Sequence, residues 1–95
     1  MPSNPAYVIR FTDTAFRNFK RYPIPVRKRI MWRIKQLAAD PYKKSNVKAL
    51  HLTAKPYRLR VGKYRILYEV GDDLKLIDIL PRQKVYRKYR FWDRP

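Results

Sequence analysis

Residues 57–70, with the sequence YRLRVGKYRILYEV, constrain the fold more than any other stretch of the chain. Apolar and basic side chains alternate on both sides of Gly62-Lys63, which is typical of two antiparallel strands joined by a two-residue turn. Such a turn sets four cross-strand pairs, namely Val61–Tyr64, Arg60–Arg65, Leu59–Ile66 and Arg58–Leu67. We therefore predict a β-hairpin over these residues.

The two faces of this predicted hairpin differ in chemistry. Alternation along a strand places the apolar residues on one face, and these are Leu59, Val61, Tyr64, Ile66 and Tyr68. Three arginines, Arg58, Arg60 and Arg65, fall on the other face. Like charges opposite each other across a ladder destabilise a sheet by about 0.2–1 kcal/mol. A sheet that concentrates arginines in this way is expected to face a polyanion.

The overall charge points to the same kind of partner. The 95 residues include 24 Lys and Arg against 7 Asp and Glu, a formal net charge of +17. Self-repulsion on this scale disfavours the compact state, and nucleic acid offsets it through counterion release. The charge favours nucleic acid or a ribonucleoprotein over an acidic protein. A membrane partner is not expected, because no segment approaches 18 consecutive apolar residues.

Several kinds of site are disfavoured by the residue types that the chain lacks. There is no cysteine and only one histidine, so disulfides, thiolate chemistry and a zinc site are not expected. We predict no metal and no cofactor. The N-terminal sequence lacks the basic-then-apolar pattern of a signal peptide, and the absence of cysteine fits a reducing compartment. We predict a cytoplasmic protein.

Two helices are predicted between a short first strand and the hairpin. Residues 6–11 alternate weakly and favour a strand. A first helix follows over residues 12–22, begun by a threonine or aspartate N-cap. A second helix extends from Pro25 to Asp40, where Pro41 stops it. The two helices are close enough in sequence to form an antiparallel pair that covers one face of the sheet.

The remaining segments are a basic loop, one more strand and a basic tail. Residues 42–55 lack periodicity, with room for a short strand at 47–52. The nearly continuous apolar run of residues 74–80 predicts the third strand of a meander. Residues 82–95 are basic and aromatic, with a short helix predicted over 83–89.

The predicted fold is a single α+β domain over residues 1–95. Two N-terminal helices pack on one face of a small, mostly antiparallel sheet. Residues 1–5 are expected to form a flexible N-terminus and residues 87–95 a basic, aromatic tail. The arginine face of the sheet is left open, with the loop and tail at its rim.

These motifs together resemble the RelE/ParE superfamily of bacterial and archaeal toxins. The shared features are the helix pair, the hairpin and the terminal run R-x-x-VYR at residues 82–87. The matching positions outside that run are Leu37, Asp40, Pro41, Leu50, residues 57–62, Tyr64, Arg65, Tyr68 and Glu69. The resemblance covers residues 6–90 and implies a RelE-like fold.

The resemblance also implies a toxin that is neutralised by a cognate antitoxin protein. RelE-like members enter the ribosomal A site and cleave mRNA without a metal, whereas ParE-like members poison DNA gyrase. Because the two branches share a fold, the fold does not decide between them. Our first hypothesis is a ribosome-dependent mRNA endoribonuclease that inhibits translation. The alternatives are a DNA gyrase inhibitor and a non-catalytic RNA-binding module.

Carried over position by position, the resemblance assigns five catalytic residues, Arg58, Arg60, Arg65, Arg82 and Tyr86. Arg65 and Arg82 would clamp the scissile phosphate, and Tyr86 would orient or deprotonate the 2′-OH, or stack on a base. Arg58 and Arg60 stand where the best-known members have lysines. Because arginine is a poor proton shuttle, these two are expected to stabilise charge. Proton transfer then falls to Tyr86 or to the single histidine, His51.

Each candidate also has a purely structural interpretation. The arginines would be a solvated sheet face, Tyr86 an aromatic packed on the sheet edge and His51 an ordinary loop residue. Six basic residues of the loop and tail are expected to contact RNA, namely Lys43, Lys44, Lys48, Lys55, Arg87 and Lys88. Four basic residues of the second helix fit an RNA contact and a solvated helix face equally well, namely Arg27, Lys28, Arg29 and Arg33.

Overall fold

A computed structural model of the chain describes residues 6–41, 47–49 and 57–89. Three helices and five strands lie within these ranges. In chain order they are β1 (Ile9–Phe11), α1 (Asp13–Lys20), α2 (Ile24–Ala39), β2 (Val47–Ala49), β3 (Tyr57–Val61), β4 (Tyr64–Val70), β5 (Leu74–Pro81) and α3 (Arg82–Lys88).

The strands form one sheet in the order β1-β5-β4-β3-β2. β1 is parallel to β5, and every other pairing in the described residues is antiparallel. The predicted α+β class with a mostly antiparallel sheet is therefore confirmed. The hairpin has the predicted register, with Arg60 opposite Arg65 and Arg58 opposite Leu67. Gly62 takes a φ of +57° in the turn, a backbone conformation that glycine adopts without strain.

The main core lies between the sheet and the pair formed by α1 and α2. Its fully enclosed members come from both helices and from the three central strands, and include Ala15, Ile30, Ile34, Leu37, Leu59, Val61, Ile66, Tyr68, Leu74, Leu76 and Ile79. The five residues predicted to form the apolar face of the hairpin all contribute to this core or pack against it. The prediction of two N-terminal helices on one face is confirmed.

Local signals explain where the helices begin and end. The Thr12 hydroxyl accepts a hydrogen bond from the Ala15 amide at 3.1 Å and so caps α1. The same hydroxyl lies 2.9 Å from the Ile77 carbonyl oxygen of β5, which ties the start of α1 to the sheet. Pro25 occupies the first turn of α2, where its missing N–H has no helical partner to lose. Pro41 follows the C-cap, Asp40.

The first strand is shorter than the sequence predicted. Residues 6–8 alternate like a strand, but only Ile9–Phe11 pair with β5. The Val8 carbonyl still accepts from the Leu74 amide of β5 at 2.8 Å, but the Tyr7 amide donates to the Ala38 carbonyl at 2.9 Å, so the end of α2 takes over the bonding one residue earlier. No helix in the described ranges is long and apolar enough to cross a membrane.

One irregularity in β5 decides which residues reach each face of the sheet. Leu67 pairs with Asp78, but Tyr68 pairs with Leu76, so Ile77 is an extra residue that forms a bulge. Before the bulge, Leu74 and Leu76 belong to the main core, and after it Ile79 does. Asp78 and Leu80 are thereby turned to the opposite face.

Candidate active site

The face of the sheet opposite the main core, called the site face below, carries the predicted arginines. Cross-strand pairing arranges it in two rows. One row joins Arg60, Arg65 and Leu80, and the other joins Arg58, Leu67 and Asp78. The short helix α3 packs against β4 and β5, and its Val85 is 1% exposed. Three buried apolar residues outside the main core, Leu67, Leu80 and Val85, support a small second cluster here.

Arg65 is held in place by the hairpin turn. Its Nη1 lies 2.9 Å from the carbonyl oxygen of Gly62 and 2.9 Å from that of Tyr64, and it donates to both. These bonds use one edge of the guanidinium group and fix its direction. Because guanidinium carries five N–H donors, the other edge can still donate to a phosphate.

Helix α3 brings Arg82 and Tyr86 to the same region. The backbone amide of Arg82 donates to the carbonyl of Lys63 in the hairpin turn at 2.8 Å, so the first residue of the helix is fixed beside the turn. Arg82 and Tyr86 are four residues apart and therefore share one helix face. Arg82 Nη2 lies 3.4 Å from the Tyr86 hydroxyl, and the guanidinium carbon lies 5.6 Å from the ring centroid.

The electrostatic field of this cluster acts on the Tyr86 hydroxyl. The hydrogen bond from Arg82 and the charge of Arg82 lower the pKa of Tyr86, with smaller contributions from Arg58 and Arg65. Tyr86 is 42% exposed, so the residue is open to solvent. A tyrosine in this setting is more acidic than usual and accepts a proton from a neighbouring hydroxyl more readily in its ionised form.

The arginines also act on one another. Partial burial, and then the charges of three neighbouring guanidinium groups, lower the pKa of Arg65. Those three groups belong to Arg60, Arg58 and Arg82. Partial burial lowers the pKa of Arg58 as well, although Tyr86 opposes the effect. All five residues predicted as catalytic therefore lie close enough to influence one another, which is the arrangement expected of an anion site.

The residues predicted to contact RNA are placed less uniformly. Lys43, Lys44, Lys55 and His51 lie outside the described residues. Lys48 stands opposite Arg58 in the register of β2 and β3. Arg87 is exposed on α3. Lys88 donates to the buried carboxylate of Asp78 at 2.9 Å, so this lysine also has a structural contact. Partial burial acts to lower the Lys88 pKa, but hydrogen bonds to Asp78 and Tyr89 outweigh it, and the net shift is upward.

Two further residues belong to this region: Arg29, for which an RNA contact and a solvated helix face were expected equally, and Asp78, which was not predicted. Arg29 extends from α2 to the hairpin turn, where its guanidinium would lie 3.3 Å from a Cβ placed on Gly62. Asp78 is the one buried charged residue in the described part of the chain. A carboxylate inside the apolar run 74–80 is unusual, and this feature of the sequence could have identified Asp78 as a candidate. Its face could not be predicted, because strict alternation would have put it with Leu76 in the main core.

Comparison with known proteins identifies the family. The family of the ParE toxin of type II toxin–antitoxin system, parDE, matches residues 9–86, which is most of the chain. The chain belongs to the RelE/ParE superfamily of toxins. The matched range begins at β1 and ends at Tyr86, so it contains the whole sheet and all five predicted catalytic residues.

Solved structures of RelE toxins share this fold. The chain is 25% identical to the toxin of the RelBE2 toxin–antitoxin complex of Mycobacterium tuberculosis, covering 82% of this chain and 100% of that one, with a TM-score of 0.71. It is 28% identical to the RelE–RelB complex of Methanococcus jannaschii, covering 83% and 96%, with a TM-score of 0.69. The isolated E. coli RelE toxin is 20% identical, covering 90% and 96%, with a TM-score of 0.71, and shows the fold. No curated protein sequence matches the chain.

The site face of this RelE/ParE toxin is rich in cationic side chains, namely Arg58, Arg60 and Arg65. No group of three or more His, Cys, Asp or Glu residues is placed to hold a metal ion in the ranges that the structure describes. The donors available on the site face are guanidinium groups, which suit phosphate oxygens in pairs.

Proposed function

We propose that this toxin is a ribosome-dependent mRNA endoribonuclease that inhibits translation in the cytoplasm. The observation that carries the proposal is the juxtaposition of the Tyr86 hydroxyl with Arg82, 3.4 Å away, inside a field that also includes Arg58 and Arg65. A group able to take a proton and several groups able to hold a phosphate occur in one exposed place. A protein that only blocks a partner needs no such combination.

The reaction would proceed by attack of the 2′-oxygen on the adjacent phosphorus. The 2′-OH gives its proton to the phenolate oxygen of ionised Tyr86, the bond from phosphorus to the 5′-oxygen breaks, and a 2′,3′-cyclic phosphate is left. Arg65 and Arg82 neutralise the phosphate as negative charge builds up on it. Because the reaction is an internal attack, it requires neither a metal ion nor a cofactor. Arg58 and Arg60 stabilise charge and do not carry protons.

The proton for the departing 5′-oxygen needs a source other than arginine. His51, the single histidine, stays the second candidate for proton transfer. Binding to the ribosome supplies the orientation of the mRNA, which accounts for a site that carries much charge and few ordinary acid–base groups. The basic loop and tail residues, including Lys48 and Arg87, serve as contacts to ribosomal RNA in this proposal.

We also propose a cognate antitoxin as the partner that keeps the toxin inactive. The M. tuberculosis and M. jannaschii relatives were solved as toxin–antitoxin complexes. An antitoxin segment rich in Asp and Glu would complement the net charge of +17 and would cover the same arginines that bind RNA. Antitoxin binding and mRNA binding would then exclude each other.

A second candidate function is inhibition of DNA gyrase. The matched family is that of ParE toxins, which favours a target shared with that branch. Gyrase inhibition makes no use of a proton-transfer group, so it predicts that removal of the Tyr86 hydroxyl leaves growth arrest unchanged. A third reading, a non-catalytic RNA-binding module, predicts tight and salt-sensitive RNA binding without cleavage.

The test is cleavage of a defined mRNA on programmed ribosomes, with the 5′ ends of the products mapped. Purified wild-type toxin is expected to cut in the A-site codon, and Tyr86→Phe is expected to cut at least about 10²-fold more slowly, the usual effect of losing a positioned acid–base group. Arg65→Gln is expected to lose activity as well. Arg10→Gln is the matched control, because Arg10 forms an ion pair with Asp73 at 2.8 Å and does not belong to the arginine cluster.

A parallel supercoiling assay with gyrase separates the alternatives. Intact mRNA together with blocked supercoiling would establish the gyrase inhibitor and overturn the nuclease proposal. Intact mRNA and active gyrase, together with strong binding to RNA, would leave the RNA-binding module as the remaining candidate function.

A further inference from the structure

The carboxylate of Asp78 is the most completely bonded polar group on the site face. It is 0% exposed. Its Oδ1 accepts from Asn18 Nδ2 at 2.7 Å and from the Ile79 amide at 2.9 Å. Its Oδ2 accepts from Lys88 Nζ at 2.9 Å and from the Tyr89 hydroxyl at 2.6 Å. A buried charge with four donors on two helices and its own strand is an anchor point between those elements.

Helix α3 depends on such anchors because it is short. It has seven residues and no side-chain hydrogen bond at its N-cap, and an isolated helix of this length is not stable in water. Its first residue is fixed by the Arg82 amide on the Lys63 carbonyl. Its middle is fixed by the buried side chain of Val85. Its last turn is fixed by Asp78 through Lys88 and Tyr89.

Tyr86 lies between these anchors, one residue after Val85 and three before Tyr89. Fraying of the last turn of α3 would move Tyr86 away from Arg82, and rotation of the whole helix about its axis would carry both residues away from Arg58 and Arg65. The contact that Tyr86 makes with Arg82 is long, at 3.4 Å, so a small displacement is enough to remove it. The position of the hydroxyl is therefore set by the fit of the helix as a whole.

We propose that Asp78 is a positioning residue of the site. It holds the last turn of α3 on β5, and this contact keeps the Tyr86 hydroxyl beside Arg82 and within the field of the arginine cluster. The inference deepens the proposed function, since it assumes that Tyr86 does chemistry. The anchoring itself can be measured without any RNA.

The competing interpretation is that Asp78 only stabilises the fold, and the two interpretations predict opposite shifts at Tyr86. A carboxylate raises the pKa of a phenol through its negative charge. Removal of that charge alone would therefore lower the pKa of Tyr86 or leave it unchanged. If Asp78 positions α3, its removal frays the last turn or displaces the helix, which takes Tyr86 away from Arg82 or from Arg58 and Arg65, and the pKa of Tyr86 rises toward the ordinary value for tyrosine.

The experiment is a pH titration followed by NMR, with tyrosine labelled at ¹³Cζ and the Tyr86 signal assigned from its loss in Tyr86→Phe. The variants are Asp78→Asn, which keeps the shape but not the charge, and Tyr89→Phe, which removes one donor to Asp78. Both are expected to raise the pKa of Tyr86. The control is Asp73→Asn, which removes a carboxylate that pairs with Arg10 away from the site, and it should leave the Tyr86 pKa unchanged.

An unchanged or lowered pKa of Tyr86 in Asp78→Asn and Tyr89→Phe overturns the proposal. If Asp78→Asn fails to fold, Tyr89→Phe decides alone, because it deletes a single oxygen at the end of α3, which bonds Asp78 and Lys88, and keeps the Asp78 carboxylate with its other donors Asn18, Ile79 and Lys88. The titration gives its answer even if the wild-type toxin cuts no mRNA, so failure of the proposed function and failure of this inference are distinguishable.

Cleavage on programmed ribosomes supplies the second readout. Asp78→Asn and Tyr89→Phe are expected to lower kcat, by up to about 10²-fold for a displacement near 1 Å, while KM stays close to the wild-type value because the arginines still bind RNA. Wild-type kcat in both variants, or an effect confined to KM, would contradict a positioning role.

Discussion

The two faces of the sheet are built from the same strands but differ in the helices that cover them and in the side chains that they carry. The core face is covered by 24 helical residues, 8 in α1 and 16 in α2, and its side chains are apolar. The site face is covered by the 7 residues of α3, and it carries Arg58, Arg60 and Arg65 on β3 and β4. A folded domain is typically stable by only about 5–15 kcal/mol. We infer that the core face supplies the stability that the site face lacks.

Two tyrosines show the difference most clearly. On the core side, the Tyr22 hydroxyl donates to the Ile79 carbonyl at 2.6 Å, and desolvation raises the pKa of Tyr22 to about 12. On the site face, the Tyr86 hydroxyl accepts from Arg82, and its pKa is lowered. The Tyr22 hydroxyl is a donor with a raised pKa, and the Tyr86 hydroxyl is an acceptor with a lowered pKa. The position of the ring relative to the sheet decides which role a tyrosine has.

The largest effect on stability is expected for a leucine on the core face of β5, and a leucine on the site face of the same strand serves as its comparison. Leu76 is 0% exposed in the main core, and Leu80 is 7% exposed on the site face. Leu76→Ala is expected to lower the free energy of unfolding by about 2–5 kcal/mol, the range for buried leucines. Leu80→Ala is expected to lower it less, because the smaller cluster under α3 can relax or admit water. Urea denaturation measures both values.

Equal losses for Leu76→Ala and Leu80→Ala would break the comparison. They would mean that the cluster of Leu67, Leu80 and Val85 is a second core of the same strength. The assignment of stability to one face and chemistry to the other would then be wrong.

Much of this contrast could be predicted from the hairpin alone. Strict alternation and a two-residue turn are local properties, so the register of residues 57–70 and the separation of Arg60 and Arg65 from Leu59 and Ile66 were readable from the sequence. Prolines and N-caps placed the helices to within one or two residues, the usual uncertainty of helix ends. The identities of Arg82 and Tyr86 as site residues came from the resemblance to RelE/ParE toxins, since their spacing of four is common in any helix.

The features that were not predicted depend on contacts distant in sequence. The bulge at Ile77 reverses the faces of Asp78 and Ile79, and no local pattern in the run 74–80 signals it. Asn18 donates a hydrogen bond to Asp78, which lies 60 residues further along the chain. The parallel pairing of β1 with β5 also required knowledge of the folded chain. Alternation therefore predicts a face correctly only as far as the next bulge.

The second prediction tests the two tyrosines through the alkaline stability of the protein. The folded pKa of Tyr22, about 12, is above the ordinary value of 10.0. The stability that Tyr22 contributes is therefore complete below pH 10 and is lost as the pH rises toward 12. Tyr22→Phe is expected to lower stability at pH 7 by about 0.5–1.5 kcal/mol, the net value of a hydrogen bond, and to flatten the decline between pH 10 and 12.

Tyr86→Phe is the matched control and should act with the opposite sign. Because the folded pKa of Tyr86 is lowered, its ionisation favours the folded state, so the variant should lose stability faster than wild type as the pH rises. Chemical denaturation at several pH values measures both slopes. If both variants flatten the decline of stability with rising pH, the two hydroxyls do not differ in the way proposed.

The smallest effect is a gain in stability on the site face. Arg60 is exposed and lies directly opposite Arg65 across the ladder. Arg60→Gln is expected to raise the free energy of unfolding by about 0.2–1 kcal/mol, because it removes a like-charge pair, and to reduce mRNA cleavage at the same time. The gain should shrink as salt is raised from 0.01 to 1 M, since the Debye length falls from about 30 to about 3 Å. Lys20→Gln, on the exposed side of α1, is the control and should leave cleavage unchanged. A loss of stability in Arg60→Gln at low salt would mean that this arginine is part of the fold, and the site face would no longer be a surface whose charge opposes folding and serves its substrate.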